Sequence, residues 1–345
     1  MIENMEGFEV DRTVAALQLK YATASAVGTL FFPRGALQGY AVGRSLIDGQ
    51  LLNSFTWETK NLGLRPSRTV GMRMRIAEPD VGPPAIISFK RLGIVQVHLD
   101  VVAETDASGD YHLELKRGSF LLAQSRVIGA NVDVHVELAV TLDPVIGAYE
   151  LRLNEQTEFE GANVDTGSAG CDTIAHKLDV NAGSATSVWV VDDVLYDDDF
   201  HFNGDAVVCG SLPSGAGRSA QFIPLTGQNY ANVDDVDAND SDASYVKLAG
   251  GALGLDLYVM DHPRYAVGDP LAMKIAVISK LEAAGVAHIQ PTFADDVDDG
   301  AQDVISVDTT SYAYYSSIMV VNPISGDGWR LADAMRGQVG VERVT

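Results

Sequence analysis

The sequence predicts an all-β protein built from antiparallel sandwiches, and two observations carry this prediction. Residues 132–140 alternate almost perfectly between apolar and polar side chains, and after a turn at residues 143–147 a second candidate strand covers residues 148–154. Such alternation is typical of strands with one buried face. Similar segments recur along the chain with turn residues between them, which indicates a sandwich of many short strands.

The candidate strands of the first half follow one another with clear turn signals. Residues 45–52 centre on Asp48 and Gly49, and Asp-Gly is the strongest short hairpin signal. Residues 71–76, 94–101 and 111–123 alternate in the same way, with a turn at residues 106–110. The last strand of this half is apolar over residues 187–191 and ends in Asp192, Asp193 and Tyr196.

The second half has further strands and one ambiguous segment. Residues 270–285 begin with Pro and end with Gly, as a helix does, yet residues 274–279 alternate as a strand does. The Ser-, Gly- and Pro-rich residues 211–219 are predicted to form a flexible loop, and they lack the Lys-Ser/Thr pair of a phosphate-binding loop. A short helix is predicted at residues 329–335, before a closing strand.

The first 200 residues resemble a known sandwich family. The order is an alternating strand, an Asp-to-Gly turn, a strand ending in Asn154, and a later strand with Asp192, Asp193 and Tyr196. This order resembles the concanavalin-A-like, or laminin-G-like, jelly roll.

The whole chain, including the part after residue 200, resembles the two-part structural proteins of tailed-phage virions. The resemblance lies in an ordered set of short motifs rather than in any one of them. The set comprises Phe202-x-Gly204-Asp205, Asn229-Tyr230-x-x-Val233-Asp234, Tyr245-Val246, Asp256-Leu257-Tyr258, the tyrosines of residues 312–315, Trp329 before a short helix, and Gly340-Val341-Glu342.

The resemblance implies a fold and a domain division. We expect an N-terminal concanavalin-like jelly-roll sandwich at residues 1–198, followed by a second β-sandwich-like domain at residues 199–345. It also implies that residues 188–196 pair with residues 5–10, and that residues 274–279 form a strand. The second domain is expected to be a β-rich virion domain.

The resemblance also implies a function. We expect a non-enzymatic structural component of the virion, tail- or fibre-associated, which forms homo-oligomers and contacts other virion proteins. It would be assembled in the host cytoplasm and located in the virion. The alternative is a carbohydrate-binding, lectin-like module that recognises host surface glycans, and a glycoside hydrolase is a weaker alternative.

Composition excludes some partners. The net charge is −23 with a pI near 4.5, which argues against nucleic-acid binding because phosphate backbones need clustered Lys and Arg. No apolar run approaches the length of a membrane span, and the acidic N-terminus lacks a basic-then-apolar signal, so no membrane insertion is expected. The two cysteines, Cys171 and Cys209, are expected to be free thiols, with a disulfide as the alternative.

The acidic clusters are candidates for catalytic pairs and for calcium sites. Glu158 and Glu160 can share a strand face, but the spacing of residues 155–160 does not match a glycosidase pair. A loop starting at Asp235 lacks the Gly and the final Glu of an EF-hand, and residues 295–300 are predicted to form a hairpin loop. Asp192 and Asp193 are expected to make structural hydrogen bonds. A structural calcium ion is the one cofactor left open.

The histidines show no zinc spacing. Three of the seven, His98, His112 and His135, are predicted to lie on one sheet face. The sequence contains no Gly-x-Ser-x-Gly nucleophile elbow. The prediction for site residues is therefore no catalytic residue and no cofactor-binding residue, with the metal ligands unknown.

Overall fold

The structure is a computed structural model that describes residues 2–6, 23–27, 30–31, 34–35, 42–43, 46–47, 53–77, 85–104, 109–180, 188–234, 242–261 and 268–344. The chain divides into two compact units, Met1–Val208 and Cys209–Thr345. The domain boundary after residue 198 stays a prediction.

The described residues of unit 1 form antiparallel strands. They are β1 (Ile2–Glu6), β2 (Thr23–Val27), β3 (Leu30–Phe31), β4 (Arg34–Gly35), β5 (Val42–Gly43), β6 (Leu46–Ile47), β7 (Asn53–Glu58), β8 (Ser67–Ala77), β9 (Ala85–Arg91), β10 (Ile94–Ala103), β11 (Tyr111–Arg117), β12 (Phe120–Gln124), β13 (Asp133–Thr141), β14 (Gly147–Leu153), β15 (Gln156–Val164), β16 (Thr173–Val180) and β17 (Val188–Asp197).

Two large sheets form the sandwich of unit 1. The six-stranded sheet has the order β1-β17-β8-β13-β14-β15, and the seven-stranded sheet has the order β12-β11-β10-β9-β16-β7-β2. Two short pairs, β3 with β6 and β4 with β5, lie outside these sheets. The predicted all-β fold class is confirmed, with an N-terminal sandwich of two antiparallel sheets followed by a second unit rich in β-strands.

Several of the predicted pairings are confirmed. The hairpin at residues 132–154 is the pair β13 and β14, with Leu138 opposite Leu151. The N-terminal strand pairs with β17, with Met5 opposite Leu195 and Glu6 opposite Val194, while residues 7–10 of the predicted partner segment lie outside the described residues. The Asp48-Gly49 turn lies outside the described residues.

One apolar core lies between the two large sheets. Alternate residues of β8 and β13 contribute Val70, Met72, Met74, Ile76, Val134, Val136, Leu138 and Val140, and the opposite sheet contributes Ile87, Phe89, Val97, Leu99, Val101, Leu113 and Leu115. Fully burying one such side chain stabilises a fold by about 1.5–3 kcal/mol. The alternation in the sequence therefore determines which face of each strand turns inward.

A hydrogen-bonded aromatic group crosses this core. The His176 ring stacks on Trp57 with 4.4 Å between ring centroids. His176 Nδ1 lies 2.9 Å from the Ile86 carbonyl oxygen, which can only accept, so the proton is on Nδ1. Nε2 then accepts from the Tyr196 hydroxyl at 3.0 Å, and that hydroxyl accepts from Trp57 Nε1 at 3.1 Å. The group satisfies its polar atoms without water.

Unit 2 is also mostly β. Its strands are β18 (Pro213–Ala220), β19 (Ile223–Pro224), β20 (Val246–Lys247), β21 (Gly254–Met260), β22 (Met273–Ser279), β23 (Ala287–Ala294), β24 (Asp299–Ala301), β25 (Ile305–Val307), β26 (Ala313–Met319) and β27 (Gln338–Arg343). A short 3₁₀ helix covers Asn229–Asn232, and one α-helix, α1, covers Leu331–Arg336. Across the described ranges, no helix is long and apolar enough to cross a bilayer.

The main sheet of unit 2 has the order β18-β21-β27-β23-β24, with β25 also paired to β23, while β22 pairs with β26. The strand predicted for residues 274–279 and the short helix predicted near residues 329–335 are confirmed by β22 and α1. Trp329 packs edge-on against Phe293 at 4.9 Å and donates from Nε1 to the Met319 carbonyl at 2.8 Å.

The predicted loop at residues 211–219 is wrong, because most of it is the edge strand β18, paired with β21. Small residues allow this strand to lie close to its neighbour. A Cβ on Gly217 would come within 2.4 Å of the Leu257 carbonyl oxygen. Composition suggested a flexible loop, but the residues serve close strand packing instead.

Burial of His176 predicts a pH dependence of stability. Burial lowers the pKa of His176 from 6.5 to about 3. Between those values the unfolded chain binds a proton that the folded chain does not, so the free energy of unfolding falls as the pH falls, by about 1.4 kcal/mol per pH unit. In the variant His176→Leu, urea unfolding measured across this pH range is expected to give a slope shallower by about that amount.

The matched control is His201→Leu, because His201 is exposed. Burial also lowers the pKa of His135. Because His135 is present in both variants, it does not affect the comparison. An unchanged slope in His176→Leu would show that the imidazole is not buried in its neutral form.

Candidate functional site

A row of ionisable side chains crosses the outer face of the seven-stranded sheet. This polar row consists of His98 and Asp100 on β10 and His112, Glu114 and Lys116 on β11. Inward positions of both strands are filled by core residues, so the alternate positions point outward. Antiparallel register places His98 opposite Lys116 and Asp100 opposite Glu114.

Hydrogen bonds and ion pairs connect the polar row. Lys116 Nζ lies 2.5 Å from Glu114 Oε2 and 3.1 Å from Asp100 Oδ2. His112 lies between two carboxylates, with Nδ1 2.6 Å from Glu104 Oε1 and Nε2 3.3 Å from Glu114 Oε1. The row therefore holds its side chains in fixed positions.

The row also fixes the charge of its central residues. Burial raises the pKa of Glu114, but hydrogen bonds from Lys116 and His112 outweigh it, so the net shift is downward. Burial lowers the pKa of Lys116, but hydrogen bonds to Glu114 and Asp100 outweigh it, and the net shift is upward. Glu114 is thus a poor general acid and Lys116 a poor general base near neutral pH.

Asp100 and Glu114 are the carboxylate pair that sequence reasoning missed. Both lie next to the same ammonium nitrogen, and retaining glycosidases hold two carboxyl groups about 5–5.5 Å apart. In those enzymes one carboxyl group must carry a proton, whereas Lys116 favours the ionised form of Glu114. The alternation of β10 and β11 indicates that Asp100 and Glu114 face the same way as the other polar residues of their strands. The sequence does not give the register that places these two residues opposite each other. The arrangement favours binding of polar groups over acid catalysis.

A second set of buried polar groups lies on the outer face of the six-stranded sheet. Residues 199–208, here called the strap, lie across this face. Asn203 N and Gly204 N both donate to Glu137 Oε1, at 2.8 Å and 3.0 Å. Thr69 Oγ1 donates to the Asp199 carbonyl at 2.8 Å and accepts from His201 N at 3.1 Å.

Charged residues fasten the rest of the strap. Arg73 Nη2 lies 2.5 Å from Asp205 Oδ1, and Asp193 Oδ1 accepts from Val208 N at 2.8 Å. Asp193 is fully buried and has a positive φ of 53°, at an irregularity where β17 shifts its register against β8. The expectation that Asp193 makes structural hydrogen bonds is confirmed, while nothing is described of the Asp192 side chain.

Under the strap, burial shifts two pKa values in opposite directions. Burial raises the pKa of Glu137, against the backbone hydrogen bonds from Asn203 and Gly204. Burial lowers the pKa of His135, although Asp205 and Glu155 oppose that shift. Perturbed groups of this kind often mark active sites, but these two side chains are buried beneath the strap. They form a structural cluster.

The remaining predicted site residues do not converge. Glu158 pairs with Arg126, Glu155 is at a turn and accepts from Asp205 N, and Glu160 is exposed.

The acidic loop of unit 2 is a turn. Asp295 Oδ1 caps the turn by accepting from Val297 N and Asp298 N, both at 2.7 Å, so the predicted hairpin loop is confirmed. Residues 235–240 lie outside the described part of the chain.

The prediction that three histidines line one sheet face is wrong. His98 and His112 share the outer face of the seven-stranded sheet, whereas His135 is on β13 of the other sheet. Strand alternation alone does not assign a strand to a sheet. Cys171 and Cys209 are both free thiols, as expected.

Among the described residues, no group of three or more His, Cys, Asp or Glu side chains is placed to hold a metal ion. A structural calcium ion stays a prediction.

Comparisons with known proteins give fold-level similarity. No protein-family model and no curated protein matches the chain. Similar solved structures include the alginate lyase Aly36B (8% identity, 56% of this chain and 95% of that one, TM-score 0.41). They also include an endo-β-1,4-glucuronan lyase from the fungus Trichoderma reesei (11%, 58% and 97%, 0.39) and the potassium-bound carbohydrate recognition domain of Emp46p (11%, 57% and 96%, 0.41). At this level of similarity their activities do not transfer to this chain.

The polar row predicts a specific loss of stability. In the variant Lys116→Met, Asp100 and Glu114 lose their shared cation while they remain largely buried. We expect the free energy of unfolding to fall by about 1–3 kcal/mol. The control Lys60→Met changes an exposed lysine and is expected to stay within about 0.5 kcal/mol of wild type. Equal effects of the two variants would contradict a structural role for the row.

Proposed function

We propose that this chain is a non-enzymatic structural component of a tailed-phage virion, tail- or fibre-associated, that works by assembly. The observation that carries the proposal is that the motif residues which give the resemblance to virion proteins make structural contacts within the fold. In unit 1, Tyr196 belongs to the buried aromatic group and Asp193 fastens the strap. Asn154 accepts from His135 N at 2.9 Å at the turn after β14. Each of them supports the fold.

The motif residues of unit 2 have similar roles. Asp256 is fully buried and accepts from Asn229 Nδ2 at 2.5 Å, from Tyr258 at 2.9 Å and from Phe222 N at 2.8 Å. Burial raises the pKa of Tyr258, and the nearby Asp256 adds to that shift. The Asn-Tyr and Asp-Leu-Tyr motifs thus join the 3₁₀ helix to β21. A sequence signature made of such structural contacts supports a scaffold more than a catalyst.

The charges of the polar row support the same proposal. Glycoside hydrolysis needs a protonated carboxyl group beside an ionised one, and the hydrogen bond from Lys116 lowers the pKa of Glu114 and favours its ionised form. Acid catalysis in this row would require removal of that lysine. We therefore propose that the chain is not a glycoside hydrolase.

The test combines particle composition with an activity assay. Mass spectrometry of purified particles is expected to detect this chain in multiple copies per particle. The purified protein is expected to release no product from a panel of neutral and uronate polysaccharides. Turnover that Glu114→Gln abolishes, together with absence from particles, would overturn the proposal in favour of an enzyme.

Carbohydrate binding is the second candidate, and the polar row favours it. His98, Glu114 and Lys116 are half-buried, so they offer donors and acceptors to a ligand lying across β10 and β11. A glycan array probed with wild type and with Glu114→Gln tests this candidate. Binding that is lost in the variant would support it, and absence of binding to any glycan would reject it.

A further inference from the structure

One end of the unit 1 sandwich exposes large apolar side chains on several neighbouring turns. We call this surface the apolar end and define it by Leu64, Leu92, Ile94, Phe120, Val145 and Ile146. Leu92 is 82% exposed and Phe120 74% exposed. Scattered apolar residues are normal on protein surfaces, but a cluster marks an interaction site.

Loop 165–172 shows that these turns are neighbours. The loop contacts each of them. Asp165 pairs with Arg117 beside the β11–β12 turn, and Thr166 Oγ1 accepts from Asp143 N at 3.0 Å in the β13–β14 turn. Around the β9–β10 turn, Ser168 N donates to Gln96 at 2.8 Å and the Ala169 carbonyl accepts from Arg91 at 2.6 Å, while Cys171 exchanges backbone hydrogen bonds with Arg65. The end is therefore one connected surface.

Carboxylates that cap two of these turns fix the backbone that carries the exposed apolar side chains. Asp143 Oδ1 accepts from Val145 N at 2.8 Å and from Ile146 N at 2.9 Å, and these bonds lower the pKa of Asp143. Asp172 Oδ2 accepts from Leu92 N at 2.9 Å, and Leu92 has a positive φ of 50°. The turns are thus fixed before any partner arrives, which reduces the entropy lost on association.

The charge of this end differs from that of the whole chain. Residues 59–66, 91–95, 117–121, 142–147 and 165–172 carry four basic side chains, Lys60, Arg65, Arg91 and Arg117, against three acidic ones, Asp143, Asp165 and Asp172. Asp198, which pairs with Arg65 at 3.4 Å, adds a fourth carboxylate, so the two signs balance. The chain as a whole has a net charge of −23. The apolar end is thus a place where two copies of this acidic chain can approach without facing an excess of like charge.

We infer that the apolar end is the docking surface for a second copy of this chain, joined end to end. The inference rests on the proposed function, because it names the surface through which self-assembly occurs. Apolar area gains free energy when it is removed from water against another apolar surface. In unit 1, the described residues concentrate their exposed large apolar side chains at this end, so the matching surface on a second copy is the same end.

Repulsion between the remaining charges makes this contact depend on salt. Exposed like charges repel over a Debye length of roughly 10 Å at 0.1 M salt and roughly 3 Å at 1 M. Sedimentation velocity of the full chain across a salt series is therefore expected to show a dimer whose dissociation constant falls as salt rises.

The variants test the surface itself. Leu92→Ser with Phe120→Ser is expected to raise the dissociation constant by on the order of 100-fold, and Val145→Ser with Ile146→Ser tests the neighbouring turn independently. The control is Val132→Ser, because Val132 is 46% exposed and precedes β13 at the opposite end of that strand. It is expected to change the constant less than about twofold. Circular dichroism and thermal unfolding confirm that each variant is folded.

Three outcomes would overturn the inference. They are a monomer at every salt concentration, a dimer that both apolar-end variants leave intact, and flotation of the monomer with phosphatidylcholine vesicles that the variants abolish, which would assign the end to lipid. None of these decides the proposed function, because the presence of the chain in particles is measured separately.

Discussion

The apolar core shared by the two large sheets of unit 1 is the constraint on which the rest of the structure depends. Because each strand must turn alternate residues toward this core, its other residues are forced onto an outer face. Polar side chains there must find partners when they are partly buried. The polar row around Lys116 and the strap over Glu137 are two solutions to that requirement. The turns between strands then fall at the ends of the sandwich, where apolar tips such as Leu92 remain exposed.

The same constraint separates structural from chemical roles. Ionisable groups of unit 1 with shifted pKa values, among them Glu114, Lys116, Glu137 and His176, make their contacts within the fold. In the polar row the contacts keep an acid ionised and an amine protonated, while burial keeps His176 neutral. Acid–base catalysis needs groups poised to exchange a proton, so these protonation states support the proposed structural function.

Strand alternation made the all-β class and the β13–β14 hairpin predictable from the sequence, whereas the pairing of β17 with the N-terminus followed from the family resemblance. Alternation assigns a face but neither a sheet nor a register, so it placed His135 with His98 and His112 and missed the Asp100–Glu114 pair. Composition misled at residues 211–219, where small residues allow close strand packing. The strap was unpredictable because its backbone donors contact Glu137, which precedes it by more than sixty residues.

Charge and apolar surface together describe how such a chain assembles. Copies of a chain with a net charge of −23 repel one another, so a surface without an acidic excess is the favoured place for contact. The proposed function makes this protein a repeated structural part of a particle, and a cryo-electron microscopy map of the purified virion tests that proposal. We expect symmetry-related densities into which both β units fit, with the apolar ends of adjacent copies in contact. A map with no such density would contradict the proposal.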